Sequence, residues 1–184
     1  MVFFVGSIAF TIAAYIQVFQ SANAGPTEKA AHVRPTRKIR AVGWRPADIG
    51  WLSSVLQFIG TLLFNASTYD AILGGGGWFR QDLTIWGPDF VGSSFFLASG
   101  YLAFSECCDG YRRWKPGSLS WWIVFVNLVG CIAFMGSAVF AFVPLSAPSF
   151  GFVLASNLLT LVGSAGFLVG SLLLFPECSP KRKM

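Results

Sequence analysis

The chain is predicted to be all-α: a polytopic membrane protein of five transmembrane helices, two like-oriented hairpins preceded by one N-terminal helix, forming a single membrane-embedded domain over 1–184. Three observations carry that expectation. Of 184 residues, 54% are hydrophobic, 11% are charged and 19 are Phe, with a mean hydropathy of +0.63; a soluble domain of this size would expose far too much apolar surface. The apolar residues gather in five stretches, at 2–19, 50–69, 88–106, 119–143 and 150–175, on the scale of the ~20 residues that cross a bilayer. Each stretch also holds one copy of the pattern Val/Ile-Gly-Ser/Thr/Cys-x-x-Phe, starting at Val5, Ile59, Val91, Val129 and Val162.

In every copy Gly and Phe are four apart and so share a helix face, a notch beside a knob. Close approach at small residues is how helices associate in lipid, where no hydrophobic force drives them together. Gly6, Gly60, Gly92, Gly130 and Gly163, with Phe10, Phe64, Phe96, Phe134 and Phe167, are therefore the expected packing residues. The Ser, Thr or Cys after each Gly is expected to bond back to the carbonyl one turn earlier.

The first stretch has a rival reading as a signal peptide cleaved after Ala22-Asn23-Ala24. No Lys or Arg precedes the apolar run, and cleavage would export a loop with six basic residues, so a retained helix is expected. A chain that enters the membrane at its second residue suggests a true start upstream of Met1. The second stretch follows Trp44 and opens on Gly50-Trp51. The third is the shortest, uncharged only between Asp89 and Glu106, and needs Ile85-Trp86 and Cys107-Cys108, or a thinned bilayer, to span. The fourth opens on Trp121-Trp122. The fifth adds a GxxxG at Gly166 and Gly170, suited to the bundle or to a homodimer. All seven Trp fall at or beyond predicted helix ends, as interfacial belts do.

Twelve of the thirteen Lys and Arg lie in the first and third connections and the C-terminal tail, and only Arg80 lies on the other side. The positive-inside rule places the N-terminus outside and the C-terminus in the cytoplasm. The net charge of +5 is thereby a topology signal, with anionic lipid as a second contact and no call for nucleic acid.

The repeat extends beyond its core. Stretches one, three and five align without gaps through Phe10, Phe96 and Phe167, then Tyr15, Tyr101 and Leu172, then Gln20, Glu106 and Glu177. Stretches two and four align through Trp51 and Trp121, Gln57 and Asn127, Gly60 and Gly130, Phe64 and Phe134, Ser67 and Ser137. Repeated membrane units pack around a pseudo-symmetry axis, here expected along the membrane normal. The run Val162 to Glu177 and its echo at Val91 to Glu106, with Gly43 to Leu52 and Ser118 to Ile123 beside them, resemble the YrhK-like family of small bacterial membrane proteins. The resemblance implies a bacterial cytoplasmic membrane and brings no established activity, substrate or catalytic residue.

No Asp, Glu, Lys, Arg or His lies at a helix centre, which weighs against a proton-coupled pump. The polar groups at depth are amides and hydroxyls. Three residues before the motif Gly come Gln57, Asp89, Asn127 and Thr160, which together with Asn157 form a candidate polar core face, read as interhelical hydrogen bonding or as the lining of a path. Glu106-Cys107-Cys108-Asp109, Glu177-Cys178 and His32 contain metal-ligand types but match no established spacing. Gly74 to Gly77 reads as a flexible outer tether. The expected function is non-enzymatic, without cofactor: packing and interaction with the lipid bilayer and with a membrane-protein partner or a second copy. The alternative is a small permease or channel for an unidentified solute.

Overall fold

The computed structural model describes residues 2–24, 39–74, 77–108, 115–142 and 150–177. Its five long helices are α1 (Val2–Asn23), α2 (Ile49–Leu73), α3 (Gly87–Cys107), α4 (Leu119–Phe140) and α5 (Phe150–Glu177), and no strand occurs among the described residues. All but α3 are long and apolar enough to cross a membrane. The shortfall in α3 has a physical origin: Gly92, Ser93, Ser99 and Gly100 lower its hydropathy, and all four are buried against protein. The other helices depart from their predicted ends by a few residues. Ala22 and Asn23, the rival cleavage site, belong to the last turn of α1, where Asn23 bonds both ways with the Arg40 backbone at 2.7 and 3.0 Å.

Helix ends are tied by side chains, since the first N–H and last C=O groups have no partner in the helix. Asp48 caps α2, accepting from the Trp51 amide at 3.0 Å, and pairs with Arg45 at 2.9 Å. Arg45 in turn donates to the carbonyls of Ser21 and Ala24 at the close of α1, at 3.0 and 3.2 Å. Glu106, at the close of α3, accepts from the Gly50 amide at the start of α2. A short helical turn, Trp78–Gln81, leads into α3 through a π turn at Asp82–Trp86. Pro88 follows directly, with no N–H to bond Thr84 O and a ring that crowds that carbonyl, and beside it the Gly87 amide reaches five residues back to Asp82 O.

Successive helices are antiparallel neighbours. Ser7 meets Thr68 and Thr11 meets Asn65 across α1 and α2; Ser53 meets Ser99 across α2 and α3; Phe104 meets Trp121 and Trp86 meets Ala138 across α3 and α4; Ser137 meets Ser156 across α4 and α5. At the centre the five motif rings converge, one from each helix. Phe96, Phe134 and Phe167 are buried with Cys131, and Phe10, Phe64 and Leu97 pack on them. The ring centroids of Phe10 and Phe167 lie 5.0 Å apart, those of Phe96 and Phe134 5.8 Å, and those of Phe64 and Phe134 6.0 Å. Large apolar side chains such as Ile12, Leu62, Ile132 and Leu161 point outward and exposed, as a lipid-facing surface requires.

Candidate functional site

Both hairpins that the repeat implies are built on crossed glycines. A Cβ on Gly60 would lie 2.9 Å from Gly92 O and 2.7 Å from the Phe96 ring, and one on Gly92 would lie 3.0 Å from Gly60 O. The α4/α5 pair repeats the arrangement: a Cβ on Gly130 or on Gly163 would lie 3.1 Å from the other's carbonyl oxygen, with Phe134 over Gly163 and Phe167 over Gly130. In both hairpins the knob of one helix fills the notch of the other. Gly166 and Gly170 serve the same contact, Gly166 against Val126 O and Gly170 against the Asn127 carboxamide, so this GxxxG is spent inside the bundle. Gly6 differs: a Cβ there would meet nothing within 4 Å.

Hydroxyls carry most of the hydrogen bonding between helices. Ser53 and Ser99 exchange bonds with each other's backbone at 3.0 and 2.8 Å, and Ser137 bonds Ser156 O at 2.9 Å and Thr160 Oγ1 at 2.7 Å. The amides, expected at depth beside the hydroxyls, contribute less. Of these, Gln57 receives only a 3.4 Å contact from Ser99, while Asn65 donates to Thr11 at 2.7 Å. The buried carboxamide oxygens of Asn65 and Asn127 find no donor among the described residues. Ser53 and Ser99 went unnoticed because serine spacing carries no signal until the register of α2 on α3 is known.

Gln57, Asn127 and Thr160 line one cavity of 470 Å³ between α1 and α5. Its walls are Gly6, Ser7, Phe10 and Gln17 on α1 and Ser164, Phe167, Leu168 and Ser171 on α5, with Phe64 and Phe134 as its floor. Asn157 lies apart from that group, exposed, beside a second cavity of 650 Å³ that also takes in Asp89 and shares Phe3, Phe64, Phe134 and Thr160 with the first. The first cavity is a groove along the bundle. Its rims are the outer faces of two helices that run parallel and touch chiefly through Phe10 and Phe167.

Among the described residues no group of three or more His, Cys, Asp or Glu comes together. Cys107 and Cys108 close α3, with Cys108 fully buried at the position equivalent to Ala22 of α1. His32, Asp109, Cys178, Gly75 and Gly76 lie outside the described residues. Among the described residues the cavity is lined by apolar and aromatic side chains with amides and hydroxyls set among them. No family model, no curated protein and no solved structure matches this chain.

Proposed function

We propose that the chain is a five-span integral membrane protein that works by holding another membrane-embedded molecule, without covalent chemistry, in the cytoplasmic membrane of a bacterium and of the YrhK-like kind. The fifth span, α3, is supported by its length and setting. Its 21 residues rise about 31 Å at 1.5 Å each, against a hydrocarbon core of about 30 Å. Flanked by α2 and α4, it has less need of lipid-grade hydropathy. The charge distribution puts the N-terminus outside and the C-terminus inside.

The observation that carries the interaction reading is the groove between α1 and α5, where Gly6 lies open while the other four motif glycines are in contact. The test is purification in native-lipid particles: a stoichiometric companion protein that is lost from Gly6→Leu and Ser164→Leu variants supports the reading, and a chain that purifies alone at full stability overturns it. Orientation is tested by an impermeant maleimide on intact cells. Thiols engineered at Gly75 and Ser146 react and those at Thr36 and Ser118 do not; labelling at Thr36 inverts the assignment.

A second reading, a small permease or channel, draws on the convergence of Gln57, Asn127 and Thr160 in one cavity that meets the other at Phe64, Phe134 and Thr160. An apolar constriction between cavities that hold polar groups is a recognised way to gate a path. Stable Gln57→Leu, Asn127→Leu and Thr160→Leu variants that lose a solute-dependent phenotype would promote it, and retention of that phenotype in all three removes it.

A further inference from the structure

The five helices are two hairpins of the same build and one helix without a hairpin partner among the described residues. The pairs α2/α3 and α4/α5 are equivalent hairpins, each with a Gly crossing and Phe over Gly. By sequence α1 is the equivalent of α3 and α5, the second member of a hairpin. The equivalence also holds in space: α1 packs on α2 as α3 packs on α4. Ala14, Val18 and Ala22 of α1 are buried, as are Thr61 and Trp51 of α2. Of their counterparts, Gly100 and Cys108 of α3 and Cys131 and Trp121 of α4 are buried and Phe104, opposite Val18 in the alignment, is half-buried, with Cys131 Sγ seated on Gly100.

This symmetry specifies which surfaces a sixth helix would cover, and those are the surfaces left open. On α3 and α5 the face toward the hairpin partner is buried at Gly92, Phe96 and Ser99 and at Gly163, Phe167 and Gly170. On α1 the same positions are Gly6, Phe10 and Ala13, of which Gly6 and Ala13 are exposed and Phe10 half-buried. The face toward the next hairpin is buried on α1 at Ser7 and Ala14 and on α3 at Ser93 and Gly100. On α5 the same positions, Ser164 and Ser171, are exposed. Both open faces look into the 470 Å³ groove, which Gly6, Ala13, Ser164 and Ser171 all line.

We propose that the groove between α1 and α5 receives one transmembrane helix of a partner protein, antiparallel to both, carrying the pattern shared by α2 and α4. That pattern is Gln or Asn, Gly three residues later, Phe four after that and Ser three further on, as in Gln57, Gly60, Phe64 and Ser67. Its Gly crosses Gly6 and its Phe becomes the sixth ring of the central cluster, beside Phe10 and Phe167. A second copy of the chain is a poor occupant. In the same membrane orientation only α2 and α4 run in the required direction, and their Gly60 and Gly130 are already covered by Phe96 and Phe167. The inference rests on the interaction reading and adds the partner's kind, direction and register.

The experiment uses the full chain in phosphatidylethanolamine–phosphatidylglycerol vesicles. The probe is a synthetic peptide of residues 49–73 with a photoreactive leucine at Leu63, the residue whose Cβ would lie 3.3 Å from a Cβ on Gly92. Cross-links map to α1 around Gly6, by analogy with Gly92. A Gly60→Leu peptide, or a Gly6→Leu chain of unchanged melting temperature, gives roughly tenfold less product, because a leucine on either glycine blocks the crossing. Cross-links spread over the outward faces of α2 and α4, or equal yield from the Gly60→Leu peptide, mean mere partition into lipid and overturn the inference. Disulfide-linked dimers of a Gly6→Cys chain overturn it in favour of a second copy. If the peptide fails while groove variants still lose a companion protein, this inference falls and the interaction reading survives.

Discussion

The hairpin α4/α5 and the helix α1 carry the same six-residue pattern and make opposite use of it. Gly130 and Gly163 lie against each other's backbone, with Phe134 and Phe167 laid over them: a Cβ on Gly163 would come within 2.8 Å of the Phe134 ring, and one on Gly130 within 3.1 Å of Gly163 O. Gly6 has the same neighbours in sequence, and a Cβ there would meet nothing within 4 Å. The motif thus encodes a surface with two capacities: a ring for the common centre and a notch for one antiparallel neighbour. All five helices use the first. Only four use the second.

The largest expected effect tests the shared half of that comparison. Phe96→Ala, at a side chain only 1% exposed with rings on several sides, should cost about 3 to 5 kcal/mol, while Phe10→Ala, at the open side of the cluster, costs less. Thermal melting in detergent reads the difference, and equal losses would mean that the centre is closed on the α1 side. Next come the notches. Gly130→Leu and Gly163→Leu drive a side chain into backbone and ring and should lose about 1 to 3 kcal/mol with a matching fall in accumulation.

A smaller effect is expected from the hydroxyls that hold α2 on α3. Ser53→Ala, which leaves Ser99 one partner short, should cost about 0.6 kcal/mol, the average found for such bonds within a bilayer. The smallest is the most informative. Gly6→Leu should leave the melting temperature of the isolated chain unchanged, so a drop as large as that of Gly130→Leu would erase the contrast between α1 and the hairpins.

Much of this architecture is legible before any coordinates. The Gly and Phe positions name the helix face that packs, because spacing by four is a property of the helix itself, and all five Phe reach one cluster. The alignment of Trp51 with Trp121 and of Gly60 with Gly130 anticipates the matched hairpins. What sequence could not supply is whatever depends on a neighbour. Gly6 is indistinguishable from Gly163 until α1 is seen to lack a partner on that side. The basic loop reads as a topology signal, but the bonds from Arg45 to Ser21 and Ala24 need the ends of two helices brought together. The low hydropathy of α3 has no reading in sequence until its buried serines and glycines are found packed against protein, Gly92 on α2 and Gly100 on α4.

The central cluster also sets an order of events during synthesis. Phe10 leaves the ribosome first and Phe167 last, and the rings of Phe96 and Phe134 wait for that final helix before Phe167 completes their burial. A nascent chain that ends after α4 carries four rings around an unfilled middle, which lipid tails would enter. Its first hairpin is held meanwhile by the crossing of Gly60 on Gly92 and by the Ser53 and Ser99 pair. Truncation at any helix therefore removes a piece of the same small centre, and a cell's quality-control proteases would meet an exposed aromatic surface wherever translation stops short.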